Sequence, residues 1–239
     1  MITKLLKIFV LNTVSTINES LPETERPPFS ENEIIPILKK QYDLCCSVKE
    51  LPGERDRNYL AQDKIGELYV FKISNASEEL DYLEIQNQAL ECTAKLLDHG
   101  RTPIVITDIN GESLSRTLST SKKSYWTRLV KFVEGIPMAQ YKPHTKEFLN
   151  DLGVMCGKIT KALQEISIQN QKQRHLWEMH NAKETLQDYI KWIDDMKLRN
   201  LVRHSLDLYN DLLTPLEQEL RRGWIHNDCN DYNVMVIQI

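Results

Sequence analysis

The sequence predicts an α+β fold in two lobes, and two observations predict it. The first half is dense in short segments rich in Val, Ile, Tyr and Phe, interrupted by one long helical pattern. From about residue 145 the pattern becomes long runs with apolar residues at spacings of three and four. The change falls near Glu134-Gly135-Ile136-Pro137, where glycine and proline end both patterns. The expected organisation is therefore a tail and linker over 1–29, a sheet-bearing first lobe over 30–133, and a helical second lobe over 134–239.

The elements follow in order. Residues 1–11 are apolar but broken by Lys4 and Lys7, too short for a membrane span or a signal-peptide core. An extra helix or a frayed tail is expected there, with a weak targeting segment as the other reading. Ser30-Glu31-Asn32-Glu33 fits a capping box, so a helix should run from there to about residue 42, unless Pro36 kinks it or marks its true start. Residues 47–51, 58–62 and 67–73 read as strands, the last two joined by a turn at Asp63-Lys64-Ile65-Gly66. Residues 77–98 read as the long helix, with Leu80, Leu83, Asn87, Leu90, Ala94 and Leu97 on one stripe and Gly100 past its end. Residues 103–107 and 125–133 are further strands around a turn at Asn110-Gly111. Helices are expected over about 145–166, 182–197 and 200–222.

Composition narrows the function classes. A net charge of −4 argues against a broad nucleic-acid surface. The five cysteines include no C-x-x-C pair, which speaks against a zinc ribbon or redox motif and for reduced thiols in a cytoplasmic protein. No membrane partner is expected.

The chemistry is concentrated at the end. An apolar stub enters His226-Asn227-Asp228, Asn233 follows five residues after the aspartate, and an apolar run closes the chain. A carboxylate at Asp228 can take or orient a hydroxyl proton, and the amide oxygen of Asn233 suits a hard cation such as Mg²⁺. His226 would brace the loop. The competing reading is that Asn and Asp cluster because turns favour them. An EF-hand starting at Asp228 fails, since its sixth position is Asn233 and its twelfth Ile239. A metal site of His226, Asp228 and Cys229 lacks ligand spacing. Lys72 lies inside the apolar run 68–73 and is either an edge-strand guard or a phosphate contact. Glu84, twelve residues on, could hold that lysine, with Glu78, Glu79 and Glu91 as competitors. Strand lysine, helix glutamate, hinge, helices and His-x-Asp-x-x-x-x-Asn stand in the order a two-lobed phosphotransferase needs.

Residues 226–234 resemble the catalytic loop of the aminoglycoside phosphotransferase and choline kinase superfamily, nearest to its hydroxylysine kinases and to phosphotransferase domains fused to class III aminotransferases. Pro28-Phe29-Ser30 and residues 54–59, 71–75, 84–90 and 175–178 carry the same likeness. The resemblance implies a bilobal protein-kinase-like fold, with GTP or ATP as donor, Mg²⁺ as cofactor, and the hydroxyl of a small amino alcohol, 5-hydroxy-L-lysine above all, as acceptor. It implies that Lys72 contacts phosphates with Glu84 orienting it, that Asp228 is the catalytic aspartate and that Asn233 binds metal. The loop over 53–59, with Arg57 and Asn58, would cover the nucleotide, and the backbone from Lys131 to Val133 would hold its base. Asp194, Asp195, Glu178 and Asp188 are the candidates for an acceptor amine, against a plainer reading as exposed helix carboxylates. The family's second metal-binding aspartate has no counterpart after residue 233. A C-terminally truncated lobe, a weak metal site, a strand at 234–239 without its hairpin partner, and little activity are therefore expected. The other readings are an inactive nucleotide-binding fragment and a helical interaction module. Nucleotide-induced thermal stabilisation separates the last from the rest.

Overall fold

The computed structural model describes residues 5–8, 26–53, 55–97, 101–167 and 181–237. They form two compact units: residues 1–167 with 228–239, and residues 168–227. The segment 175–178 and the linker residues 12–25 lie outside the described residues.

In the first unit, helix α1 (Glu31–Tyr42) begins as the capping box requires: the Ser30 amide donates to Glu33 Oε2 at 2.9 Å. It runs uninterrupted through Pro36 and ends at Asp43, whose φ of 50° turns the chain into the left-handed region. Strands β2 (Cys46–Leu51), β3 (Arg57–Asp63) and β4 (Leu68–Ile73) form an antiparallel meander, and helix α2 (Leu80–Leu96) follows. Strand β5 (Val105–Ile106) is shorter than its sequence pattern. β7 (Ser124–Lys131) lies between it and β4 in the order β2-β3-β4-β7-β5. β6 (Ser115–Leu118) also pairs with β7. It is a strand the sequence did not announce, because Ser-Arg-Thr-Leu lacks the apolar density of its neighbours.

The strand period of two divides this sheet into two faces. On the outer face Tyr59, Ala61, Phe71, Ile73 and Leu129 pack with Phe29, Ile34 and Leu38 of α1 and its approach. The Tyr59 hydroxyl donates to the Phe29 carbonyl at 2.7 Å, which anchors the segment before α1. On the inner face Asn58, Lys72 and Arg128 stand opposite one another across β3, β4 and β7, and Val70 faces Val130 two residues further along.

A second sheet joins β1 (Leu5–Ile8), β9 (Val234–Ile237) and β8 (Ile136–Pro137), in the order β1-β9-β8. One expectation is corrected here. Residues 5–8, read as part of a tail or an extra helix, form a strand. β9 is paired on both edges, by strands distant in sequence, with Leu5 opposite Ile237 and Ile136 opposite Val236. The proposed hinge is thus partly a strand, and Gly135 explains how it fits. Its φ is +142°, and a Cβ there would lie 2.9 Å from the Val236 carbonyl oxygen, so only glycine lets the chain pass against β9.

Helix α3 (Lys146–Leu163) is capped by Thr145, which accepts from the Phe148 amide at 3.2 Å, and buries Phe148, Met155, Ile159, Ala162 and Leu163. The second unit holds α4 (Ala182–Tyr189) and α5 (Met196–Leu212), both shorter than or displaced from their sequence patterns. Asp195, a candidate for an acceptor amine, caps α5 instead: its carboxylate accepts from the amides of Lys197 at 2.7 Å and Leu198 at 3.2 Å. Asp194 is exposed, and Glu178 lies outside the described residues. α5 buries none of its residues and exposes Leu198, Leu201, Leu208 and Leu212.

Candidate active site

Within the first unit the loop 228–233 is tied to itself by side-chain amides. Asn233 Nδ2 donates to Asp228 Oδ2 at 2.6 Å and to the Asp228 carbonyl at 2.9 Å, and Asn230 Nδ2 donates to Asp228 Oδ1 at 2.7 Å. Asn230 Oδ1 accepts from the amides of Tyr232 and Asn233, and Asn227, with φ 63°, admits the turn just before. The turn chemistry is therefore real, and it is what places the functional groups. Asp228 stays exposed with both carboxylate oxygens oriented, while Asn233 is fully buried beside it. An amide that turns its nitrogen toward Asp228 turns its oxygen away from it. Hard oxygen donors of this kind suit Mg²⁺. As the amide stands, the Asn233 oxygen expected to bind metal and the Asp228 carboxylate do not face one another.

The neighbouring Cys229 thiol is pushed up to about 12 by burial and by the Cys156 thiol beside it, so it stays protonated and is a poor metal ligand. Among the described residues no three His, Cys, Asp or Glu side chains cluster as a metal site. His226 is half-buried and belongs to the second unit.

β9 carries this loop to the sheet. Met235, two residues after Asn233, is buried with Val70, Val130 and Val133, and Leu51, Leu90, Val105 and Phe132 pack around them. Val70 in turn is two residues from Lys72 on the same face of β4. The lysine strand and the aspartate loop thus meet across one apolar cluster.

Lys72 is 6% exposed. Its pKa is lowered to about 8, first by burial and then by the neighbouring Arg128 cation, against the partial support of Asp56 and Glu78. The expected partner, Glu84, is not among these groups. α2 turns Leu83, Ile85 and Asn87 inward, and Glu84, between them, is exposed and makes no ion pair among the described residues. The acid on this side of the lysine is instead Glu78, one of the competing carboxylates, in the turn before α2. It pairs with Arg55 at 3.2 Å, and burial raises its pKa. Replacing Glu84 by Gln is accordingly expected to change stability by no more than about 0.5 kcal/mol and to leave nucleotide affinity unaltered. A large loss of affinity in titration calorimetry would restore it to the site.

Arg57 is also turned away. It lies on the face opposite Asn58, donating to Glu50 Oε1 at 2.6 Å and to the Pro27 carbonyl at 2.9 Å. Asn58 is fully buried beside Lys72. Asp56 is tied to the turn before α2, its Oδ1 accepting from the Asn75 amide at 2.9 Å. The Lys131 amide donates to Ile104 and the Phe132 amide to Leu68, while the Lys131 ammonium pairs with Glu67. Of the segment named for base binding, Val133 has a backbone that makes no hydrogen bond among the described residues. Sequence reasoning missed Arg128, Asp56 and Glu78's position. The criterion that singled out Lys72, a cation inside an apolar strand, applies equally to Arg128 in Tyr125-Trp126-Thr127-Arg128-Leu129-Val130.

Residues 47–237 match the phosphotransferase enzyme family, to which this chain belongs. Among curated proteins it is similar to the hydroxylysine kinase of Bos taurus, 24% identical over 230 residues, which cover 89% of this chain and 60% of that protein. The chain therefore spans about three-fifths of the length of that relative. Among solved structures it is similar to an aminopropanol kinase associated with a microcompartment, at TM-score 0.61 and 16% identity, covering 84% of this chain and 63% of the other. It is also similar to an amicoumacin kinase in complex with AMP-PNP, Ca²⁺ and Ami, at TM-score 0.58 and 11% identity, covering 88% of this chain and 66% of the other. These structures share the fold. No described helix is long and apolar enough to cross a membrane.

Proposed function

We propose that this chain, alone or within a longer polypeptide, transfers the γ-phosphoryl group of GTP or ATP to the hydroxyl of a small amino alcohol, with 5-hydroxy-L-lysine the foremost candidate. The observation that carries the proposal is the junction of Lys72 and the Asp228–Asn233 loop through Val70 and Met235 in one compact unit. Asp228 takes the proton of the acceptor hydroxyl, whose oxygen bonds to the γ-phosphorus as the bond to the leaving nucleoside diphosphate breaks. Lys72 holds the phosphate chain. The backbone of Val133, beside the packed cluster of Val70, Val130 and Met235, would hold the base. Mg²⁺, with Asn233 as its expected ligand, would neutralise phosphate charge. The acceptor preference rests on the likeness to hydroxylysine kinase. A cytoplasmic setting accords with five cysteines that form no disulfide among the described residues.

The test offers GTP and ATP against hydroxylysine, ethanolamine and 1-amino-2-propanol, and follows phosphorylated product by ³¹P NMR. Thermal unfolding is recorded with each nucleotide. Phosphohydroxylysine from one nucleotide is the expected product. If no nucleotide raises Tm and no acceptor is phosphorylated, even by a longer polypeptide containing this chain, the proposal fails.

A further inference from the structure

Asn58, Lys72 and Arg128 form one row across the inner face of the sheet, and all three are buried, at 0%, 6% and 5% exposure. Buried cations ordinarily have a carboxylate of their own, because an unpaired charge away from water is costly. These two do not. Arg128 gives Nη1 to Asn87 Oδ1 at 2.9 Å and Nη2 to Gln86 Oε1, both neutral acceptors, and its Nε–H has no partner among the described residues. Lys72 enters no ion pair among those residues. The nearest acids act only at longer range: Asp56 Oδ1 accepts from the Asn75 amide, and Glu78 pairs with Arg55 through Oε1 while its Oε2 makes no hydrogen bond among the described residues. Both polar atoms of the Asn58 amide also lack partners among the described residues. Neighbouring strands lie about 4.8 Å apart, so cations on β4 and β7 can serve successive groups of one polyanion.

We propose that Arg128 is a second phosphate-binding cation, acting beside Lys72 and Asn58, and that Gln86 and Asn87 position it. This rests on the reading of the chain as a nucleotide-using phosphotransferase. The ligand of the row is the phosphate chain of a nucleoside di- or triphosphate. Asn87 is itself held by the Ser113 carbonyl, to which its Nδ2 donates at 3.3 Å. α2 therefore does for Arg128 what Glu84 was expected to do for Lys72: it fixes a cation through the helix, here with neutral amides that leave the charge for the ligand.

Calorimetry on the full chain tests this with inorganic tripolyphosphate, with GTP and ATP, and with guanosine and adenosine. Wild type, Arg128→Gln, Gln86→Leu and Asn58→Leu are compared. Losing a charge-assisted hydrogen bond should weaken tripolyphosphate and nucleotide binding by about tenfold or more in each variant, with nucleoside binding unchanged. Asn58→Leu should also raise Tm, because it removes an unsatisfied buried amide. A merely structural asparagine would give the opposite shift, and this variant decides the matter if Arg128→Gln does not fold. Phosphate binding equal to wild type in Asn58→Leu and Gln86→Leu would overturn the inference and leave the kinase reading standing. Tripolyphosphate binding without nucleotide binding would uphold the anion seat and sink the kinase reading. A wild type that binds neither would overturn both.

Discussion

Replacing Lys72 by Met should stabilise the protein and at the same time remove most of its nucleotide affinity. The ammonium is buried and its pKa is lowered from 10.5 to about 8, chiefly by desolvation and then by Arg128. A lysine with a depressed pKa is a liability to the folded state below that pKa, because the unfolded chain holds the proton more readily. At 1.36 kcal/mol for each pKa unit, the penalty near pH 7 is about 3 kcal/mol. It is fully present below about pH 8 and shrinks as pH rises toward the unfolded value of about 10.4. Lys72→Met should therefore unfold at a higher temperature than wild type at pH 7, and the gap should narrow between pH 8 and 10. The same substitution removes a charge-assisted contact to phosphate, which corresponds to about 10–100-fold in Kd. Thermal unfolding across pH and calorimetry with nucleotide check the two halves separately. A variant that is less stable and binds nucleotide normally would show that Lys72 serves the fold and not the ligand.

Asp228→Asn should lower kcat for phosphoryl transfer by about 10²–10⁴-fold, the ordinary contribution of a positioned general base. The carboxylate is exposed and receives two amide hydrogen bonds, from Asn230 and Asn233. An asparagine in its place can accept from only one of them through its oxygen, so a modest loss of loop order accompanies the loss of the base. The fold should survive, since neither β9 nor the cluster of Val70, Val130 and Met235 depends on that side chain. The measurement is single-turnover transfer from nucleotide to hydroxylysine, with nucleotide Kd as the control. Transfer at the wild-type rate would remove Asp228 from the chemistry. A Kd raised as much as kcat falls would make it a binding group.

Local pattern carried a good part of this protein. The alternation of 58–62 and 67–73, the capping box at Ser30 and the stripe of α2 are properties of neighbouring residues, and each produced its element within a few residues. The spacing of Asp228 and Asn233 is equally local, because the Asn230 and Asn233 amides fold that loop on themselves. By itself, then, the sequence determined the lysine strand, the helix beyond it and the aspartate loop, which together announced a phosphotransferase.

Tertiary structure decided how those parts meet. Strand Leu5–Ile8 exists as a partner of β9, more than two hundred residues away, and nothing in its own short apolar run announces that edge. Which helix residue faces the lysine depended on the rotation of α2. Packing of Leu83 and Ile85 against the core turned Asn87 and Gln86 toward Arg128 and left Glu84 exposed. The burial of Lys72 beside Arg128, and with it the depressed pKa, arises only when β4 and β7 pair in register. Helix period and strand alternation state which residues share a face. Only the packed core states what that face meets, and the electrostatics of the site follow from that meeting.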